Sequence, residues 1–538
     1  MGDWNFADLW ELAADEWPDA ECLIHGPTRL TWREVDRRAD GVAQYLLDAG
    51  LEHQQAVAQY LYNSPHYMES MFAAFKGAFT PVNTNYRYTA HELRYLWDNA
   101  DAGAVVFHGS FADTIEAIRP ELPKVLAWLW VDDSADGSGS CPDWAVSYED
   151  VAGRDVPRVA PAWGRSGDDL NLLYTGGTTG MPKGVMWRQD DLVVILTASL
   201  GPGLADDGTI DQLRGTRPSP GLRYLPACPQ MHGTGNFPGL STLVAGGSIV
   251  TLEQRTYDPI EMLDTIERER VNAVSLVGDA FAKPLLRALD ANPERWDLSS
   301  LVGITSSGVM WSKETKQGLL RHHPAMLLLD AFSSSEALGM GSSISGAGAE
   351  ADTATFELTP NSMVIDDDNR PVAAGSGTVG RLAVGGRQPL GYYKDPEKSA
   401  RTFLIIDGQR YSCPGDFAAV EADGKITLLG RGSVCINTGG EKVFPEEVEE
   451  AIKTFAGVAD AVVVGVPDDK FGEAVTGVVE ILDGSIVDER GLLSHVRATL
   501  AGYKTPKRIV FVDSIARAAN GKVDYKRLKA EAIASLTS

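Results

Sequence analysis

Cysteine is scarce in this 538-residue chain. The five residues (Cys22, Cys141, Cys228, Cys413 and Cys435) are scattered, with neither a paired metal-binding spacing nor the density of a disulfide framework. That excludes a disulfide-stapled secreted scaffold and a thiolate zinc site, and it suits a reducing, cytoplasmic compartment. Long apolar runs are also missing. No uninterrupted stretch approaches the roughly 20 residues that span a bilayer, and the opening MGDWNFADLW has no basic region followed by an apolar core. No integral membrane segment or leader is expected. Positive charge is in deficit, with 48 Lys and Arg against 74 Asp and Glu and a formal charge of −26. This opposes binding to nucleic acid or to an anionic membrane surface.

What is present is length and periodicity. At about 150 residues per domain the chain can hold three or four compact units. In the first half an amphipathic helix at 33–47, a strand at 55–61, a helix at 67–76 and a strand at 102–107 alternate, which predicts α/β layers. Residues 133–143 and 201–221, rich in Gly, Ser, Pro and charge, read as exposed loops, the second bordering a substrate entrance. Beyond about residue 432 the pattern becomes helix 445–455, strands 460–466 and 475–482, helix 489–500 and strand 508–512. The expected division is a large domain over 1–432 and a small mobile α+β domain over 433–538. The last part is locally basic (Lys504, Lys507, Arg508, Arg517, Lys522, Lys526, Arg527, Lys529), read as a solvated helix face.

The densest chemistry lies in residues 174–184, YTGGTTGMPKG. An apolar run precedes it and a helical segment at 190–200 follows, so it reads as a strand-to-helix connection. Gly176, Gly177 and Gly180 let backbone N–H groups approach phosphate oxygens. Thr175, Thr178 and Thr179 add hydroxyl donors, and Lys183 adds a fixed charge. It is not a Walker loop, because Pro182 precedes the lysine and Gly184 follows it. The segment resembles the phosphate-loop signature of the adenylate-forming superfamily, which contains acyl-CoA synthetases, peptide-synthetase adenylation domains and luciferases.

The resemblance extends along nearly the whole chain. Residues 330–336, DAFSSSE, follow an apolar run and so sit at a strand end. They resemble the family's aromatic-Gly-x-Thr-Glu motif, with Ser333 in place of the glycine. This implies Ser335 as an α-phosphate donor and Glu336 as the carboxylate that holds Mg²⁺ against ATP, with Asp330, Ala331, Phe332, Ser307 and Gly308 around the nucleotide. In YSCPGDF, residues 411–417, Asp416 takes the ribose-binding place. Arg431 would contact ribose or phosphate, Ser433 stands at the hinge position, and Gly440 would line the passage for pantetheine. Asn520-Gly521-Lys522 resembles the carboxyl-terminal motif whose lysine is catalytic, so Lys522 is the candidate that bridges the substrate carboxylate and the α-phosphate.

Implied is an AMP-forming acid-CoA ligase. A carboxylate attacks Mg·ATP to give an acyl-adenylate and pyrophosphate, and the CoA thiol then displaces AMP. Acyl transfer to a carrier protein is the alternative acceptor chemistry. YTGGTTGMPKGVMWR and GRGSVCINTGGEKVFPEEVEEA look most like actinobacterial fatty-acyl and steroid side-chain CoA synthetases. By position His232, Gly233, Thr234, Gly278, Asp279, Ser307 and Gly308 are candidates for the acyl pocket, with room for a bulky or long apolar group. His232 is either a gate or a satisfied structural histidine. Asp279 either binds a substrate hydroxyl or belongs to a surface turn. The glycine-rich 339–348 reads as a mobile wall of the pocket. A homodimer is among the assemblies the sequence allows.

Overall fold

A computed structural model describes the chain except residues 1–2, 135–136, 176–180, 199–203, 206–207, 218, 310, 347, 349–351, 439–440, 469–471, 501, 519–520 and 538. Among the described residues the strands form three sheets of 15, 8 and 5 strands. The 8-stranded sheet holds the parallel core strands Ala56–Tyr60, Thr80–Asn83, Ala102–His108 and Ala127–Val131, in which every residue is buried. Such continuous apolar strands need cover on both faces, and helices provide it. The helix Trp32–Asp48 begins at a capping box between Thr31 and Glu34 and turns Trp32, Val35, Ala39, Val42 and Leu46 inward. They join the largest apolar core, beside Phe6, Trp10, Phe72 and Phe75 of two neighbouring helices.

The 15-stranded sheet carries most of the candidate positions. Its parallel strands Arg223–Pro226, Ala273–Leu276, Gly303–Ser306 and Leu327–Ser334 lie side by side. The antiparallel strands Ala337–Ser345, Thr355–Leu358, Ile426–Arg431 and Asp416–Val420 continue it. Ile426–Arg431 is followed by a short 3₁₀ turn, Gly432–Val434, and Ile436–Thr438 then belongs to the five-stranded sheet.

That small sheet shows period-two chemistry plainly. Ala461, Val463, Val475, Val479 and Ile509 pack on one face with helices Pro445–Lys453 and Glu489–Thr499. Val462, Val464, Val466, Val478 and Val510 pack on the other with Leu528 and Ala532 of helix Tyr525–Thr537. Each fully buried valine contributes on the order of 1.5–3 kcal/mol, so the alternation alone sets the register.

Three readings need correction. Residues 174–184 are not a strand-to-helix connection: Leu170–Thr175 and Lys183–Arg188 form an antiparallel hairpin, and the helix Gln189–Thr197 starts only after the second strand. Val185 and Trp187 favour extended backbone and are buried in that strand. Residues 339–345, read as part of a mobile wall, belong to the strand Ala337–Ser345 and pair with Leu327–Ser334. The 201–221 segment, read as a loop, contains one helical turn, Ile210–Leu213, capped by Thr209 and Gln212.

Candidate functional site

The phosphate-loop hairpin has a well-defined root. Thr175 and Lys183 are register partners across it. Gly176, Gly177, Thr178, Thr179 and Gly180 lie outside the described residues. Asn83 fixes the strand end. Its Nδ2 donates to Tyr174 O at 2.9 Å and to Met231 O at 2.7 Å, and its Oδ1 accepts from Tyr174 N at 2.6 Å. One buried amide thus ties the phosphate-loop root to the residue before His232. The Lys183 ammonium lies 5.7 Å from the centre of the Tyr392 ring and 3.9 Å from Asp395 Oδ2. Burial, and then Lys398, hold its pKa below the usual lysine range.

Tyr392 also reaches the second motif. Its hydroxyl donates to Glu336 Oε1 at 2.8 Å, while Ser412 Oγ donates to Glu336 O at 2.7 Å and Trp187 Nε1 to Ser335 O at 2.9 Å. Ser335 and Glu336 form the turn between Leu327–Ser334 and Ala337–Ser345, so a strand end does present them. Lys183 and Glu336, 153 positions apart in the sequence, therefore meet around one tyrosine ring. Among the described residues no group of three or more His, Cys, Asp or Glu side chains is arranged to hold a metal. A hard cation here would rely on Glu336 and on ligand oxygens.

At the carboxyl ends of the parallel strands, Ser306 and Asp330 are register partners, and Ser306 Oγ accepts from Gly278 N at 2.9 Å. Gly308 follows with φ +92°. Asp330 is buried, and burial raises its pKa to about 7 against the opposing pull of Lys316, whose Nζ is 4.0 Å away. Phe332 packs at 5.4 Å from the Phe356 ring, and Ala331 lies between the two motif residues on the same strand. Asp416 is buried and pairs in register with Arg431, whose side chain lies outside the described residues, as does Gly440.

Lys522 comes to this same end of the molecule. Gly521 N donates to Ala518 O and Ala518 N to Lys522 O, both at 2.8 Å, which closes a tight turn. Gly521 has φ +71°, and a Cβ placed on it would lie 2.8 Å from Val277 Cγ1, so only glycine fits. The turn is thereby seated against the large sheet. His232, which precedes the helix Gly233–Val244, has its pKa lowered to about 3 by burial first, then by the Lys522 and Arg87 charges. It is neutral at physiological pH.

Asp279 does not lie in a surface turn. It sits in the first turn of helix Gly278–Ala291 and accepts from Ser312 N and Ser312 Oγ, each at 3.0 Å, with Lys283 Nζ at 3.2 Å. Its carboxylate anchors the start of helix Lys313–His322. Arg517 likewise departs from a solvated face. It pairs with Asp460 through Nε at 2.5 Å and Nη2 at 2.9 Å. Asn83, Tyr392, Trp187, Lys316 and Val277 were not legible as site residues, because each acts through a partner distant in sequence.

Known proteins resemble this chain along nearly its whole length. The model of the AMP-binding enzyme family matches residues 10–393, and that of the AMP-binding enzyme C-terminal domain matches residues 447–522. A 3-oxocholest-4-en-26-oate-CoA ligase of Rhodococcus rhodochrous is 38% identical over 534 residues, spanning 98% of this chain and 95% of its own. A medium/long-chain-fatty-acid-CoA/3-oxocholest-4-en-26-oate-CoA ligase of Mycolicibacterium smegmatis is 39% identical over 538 residues, spanning 98% and 96%. The crystal structure of ATP-bound MatB from Rhodopseudomonas palustris superposes with a TM-score of 0.80 at 26% identity, covering 98% of this chain and 99% of that one. The chain belongs to the AMP-binding enzyme family.

Proposed function

From this membership we propose that the protein is an ATP-dependent, AMP-forming acid-CoA ligase acting on a bulky or long apolar carboxylic acid, of the fatty-acid or steroid side-chain class. The observation that carries the reading is the meeting of Lys183 and Glu336 around the Tyr392 ring, with the Lys522 charge acting on His232 beyond the end of the parallel strand Arg223–Pro226. That is where an α/β sheet presents its ligands.

In the first half-reaction a carboxylate oxygen attacks the α-phosphorus of ATP, and the bond to the bridging oxygen breaks. Pyrophosphate leaves with the electron pair. Lys183 and the loop hydroxyls hold the phosphates, Asp416 and Arg431 hold the ribose, and Ser335 donates to the α-phosphate. Lys522 compensates the charge that builds between carboxylate and phosphorus, a preorganised electrostatic role. Glu336 is the residue that would hold Mg²⁺, which would supply charge neutralisation for the pyrophosphate group. In the second half-reaction the CoA thiol adds to the acyl carbon, loses its proton, and AMP leaves. No enzyme nucleophile is required. His232 and Gly233, with Gly278 and Gly308, border the acyl group, and the neutral imidazole positions without adding charge.

Residues 433–538 act as the mobile domain that delivers Lys522 and then turns about Ser433, bringing Gly440 to the pantetheine passage. Free CoA is favoured over a carrier protein, since the relatives are named as CoA ligases. The test is incubation with Mg·ATP and straight-chain, aromatic and steroid-like acids, following AMP and thioester with and without CoA. CoA-dependent thioester with equimolar AMP supports the reading. AMP without thioester moves the acceptor to a carrier protein, and no AMP from any acid refutes it.

A further inference from the structure

The turn that carries Lys522 is gripped from two sides. Behind it, Arg517 Nη1 donates to Gly521 O at 3.1 Å while the same guanidinium is paired with Asp460 of strand Val458–Asp468. In front, a Cβ on Gly521 would meet Val277 Cγ1 at 2.8 Å and Val309 Cγ2 at 3.3 Å. Val277 is buried at the end of strand Ala273–Leu276, and Val309 follows Gly308 beyond the neighbouring strand Gly303–Ser306. Both valines are therefore fixed by the large sheet, whereas Gly521 belongs to the carboxyl-terminal segment.

We infer that Val277 and Val309 form a socket for Gly521, making them positioning residues that set where the Lys522 ammonium stands during acyl-adenylate formation. This rests on the ligase reading above. Lys522 is exposed on a long stem, so the seat of its turn bears on where the ammonium can reach. β-Branched side chains hold one χ1 rotamer firmly and make a stiff wall. The contact of Gly521 with the two valines is itself apolar, so separating them breaks no hydrogen bond between these three residues. A contact that must form for one half-reaction and release for the next is suited to such a surface. Val277 Cγ1 further lies 4.0 Å from the Cβ position of Gly308, so one methyl group faces both the lysine turn and the candidate acyl pocket.

The test separates the half-reactions in the full chain. Wild type is first assayed for pyrophosphate release with Mg·ATP and the acid giving most AMP, and separately for thioester formation from that acid's preformed adenylate plus CoA. Gly521→Ala is expected to lower pyrophosphate release by about tenfold or more while leaving thioester formation from the supplied adenylate within about twofold. In a Val277→Ala background, which removes the closest methyl group, the same glycine substitution is expected to cost markedly less. Pyrophosphate release that survives Gly521→Ala, equal loss of both half-reactions, or a penalty unchanged by Val277→Ala would each overturn the socket. The last outcome would assign the loss to backbone strain at positive φ. Wild type that releases no pyrophosphate with any acid would instead overturn the ligase reading itself.

Discussion

Replacement of Asn83 by alanine probes how the two halves of the site are joined. The side chain makes three short hydrogen bonds, two to Tyr174 and one to Met231. Alanine strands one N–H and two carbonyl groups in a region where Asn83 itself is 8% exposed. Each orphaned buried group costs about 1–3 kcal/mol, and water admitted to the vacated space recovers part of that, so a net loss of about 3 kcal/mol is expected. Because Tyr174 is two residues from the loop, the KM for ATP should rise between about tenfold and a hundredfold, as misplaced binding groups do. Asn83→Asp is the discriminating control. It still accepts from Tyr174 N but points a carboxylate oxygen at two carbonyls, and should do no better than alanine. Denaturant midpoints and ATP titrations of the adenylation step read both effects. An Asn83→Ala protein with an unchanged ATP KM and less than about 1 kcal/mol of destabilisation would refute the reasoning.

Three further outcomes are expected. Lys522→Ala should lower pyrophosphate release by about 10²–10³, the usual cost of a preorganised transition-state donor, without preventing ATP binding measured by calorimetry. Tyr392→Phe removes the donor to Glu336 while keeping the ring beside Lys183. It should lower kcat/KM for ATP by about tenfold, most visibly at low magnesium, and an unchanged magnesium dependence would count against Glu336 as the ligand. Asp330 has a folded pKa raised from 3.8 to about 7. Its contribution to stability is therefore fully present below 3.8 and is lost as pH rises through about 7. At roughly 1.4 kcal/mol per pH unit this amounts to about 4 kcal/mol at most, and Asp330→Asn should flatten the stability profile across that window.

Much of this was legible in the sequence where one physical signal dominated. The 489–500 helix and the 508–512 strand match Glu489–Thr499 and Arg508–Val512, because Leu492 and Val496 fall one helical turn apart and the β-favouring run at 509–512 leaves few alternatives. The phosphate-loop strand Lys183–Arg188 was hidden because it runs straight into a helix at Gln189, with no turn residues to mark the change. The 339–345 stretch was read from its glycines, yet pairing to Leu327–Ser334 decides its conformation. The contact of Asp279 with Ser312 was not legible because the two are 33 positions apart. Tyr392 was missed because its contact with Glu336 spans 56. Local pattern reports backbone state well, and it is silent about which distant group satisfies a side chain.

The hairpin at Thr175 and Lys183 also bears on how such a site can vary over evolutionary time. A loop that leaves and re-enters one antiparallel ladder can gain or lose residues at its tip while the sheet behind it keeps its pairing. The strand after it has no such latitude. Side chains alternate between faces, so deleting a single residue between Lys183 and Arg188 would send buried Val185 and Trp187 to the opposite face. Insertions and deletions should therefore be absent from this strand, which keeps the anchorage of the phosphate loop fixed.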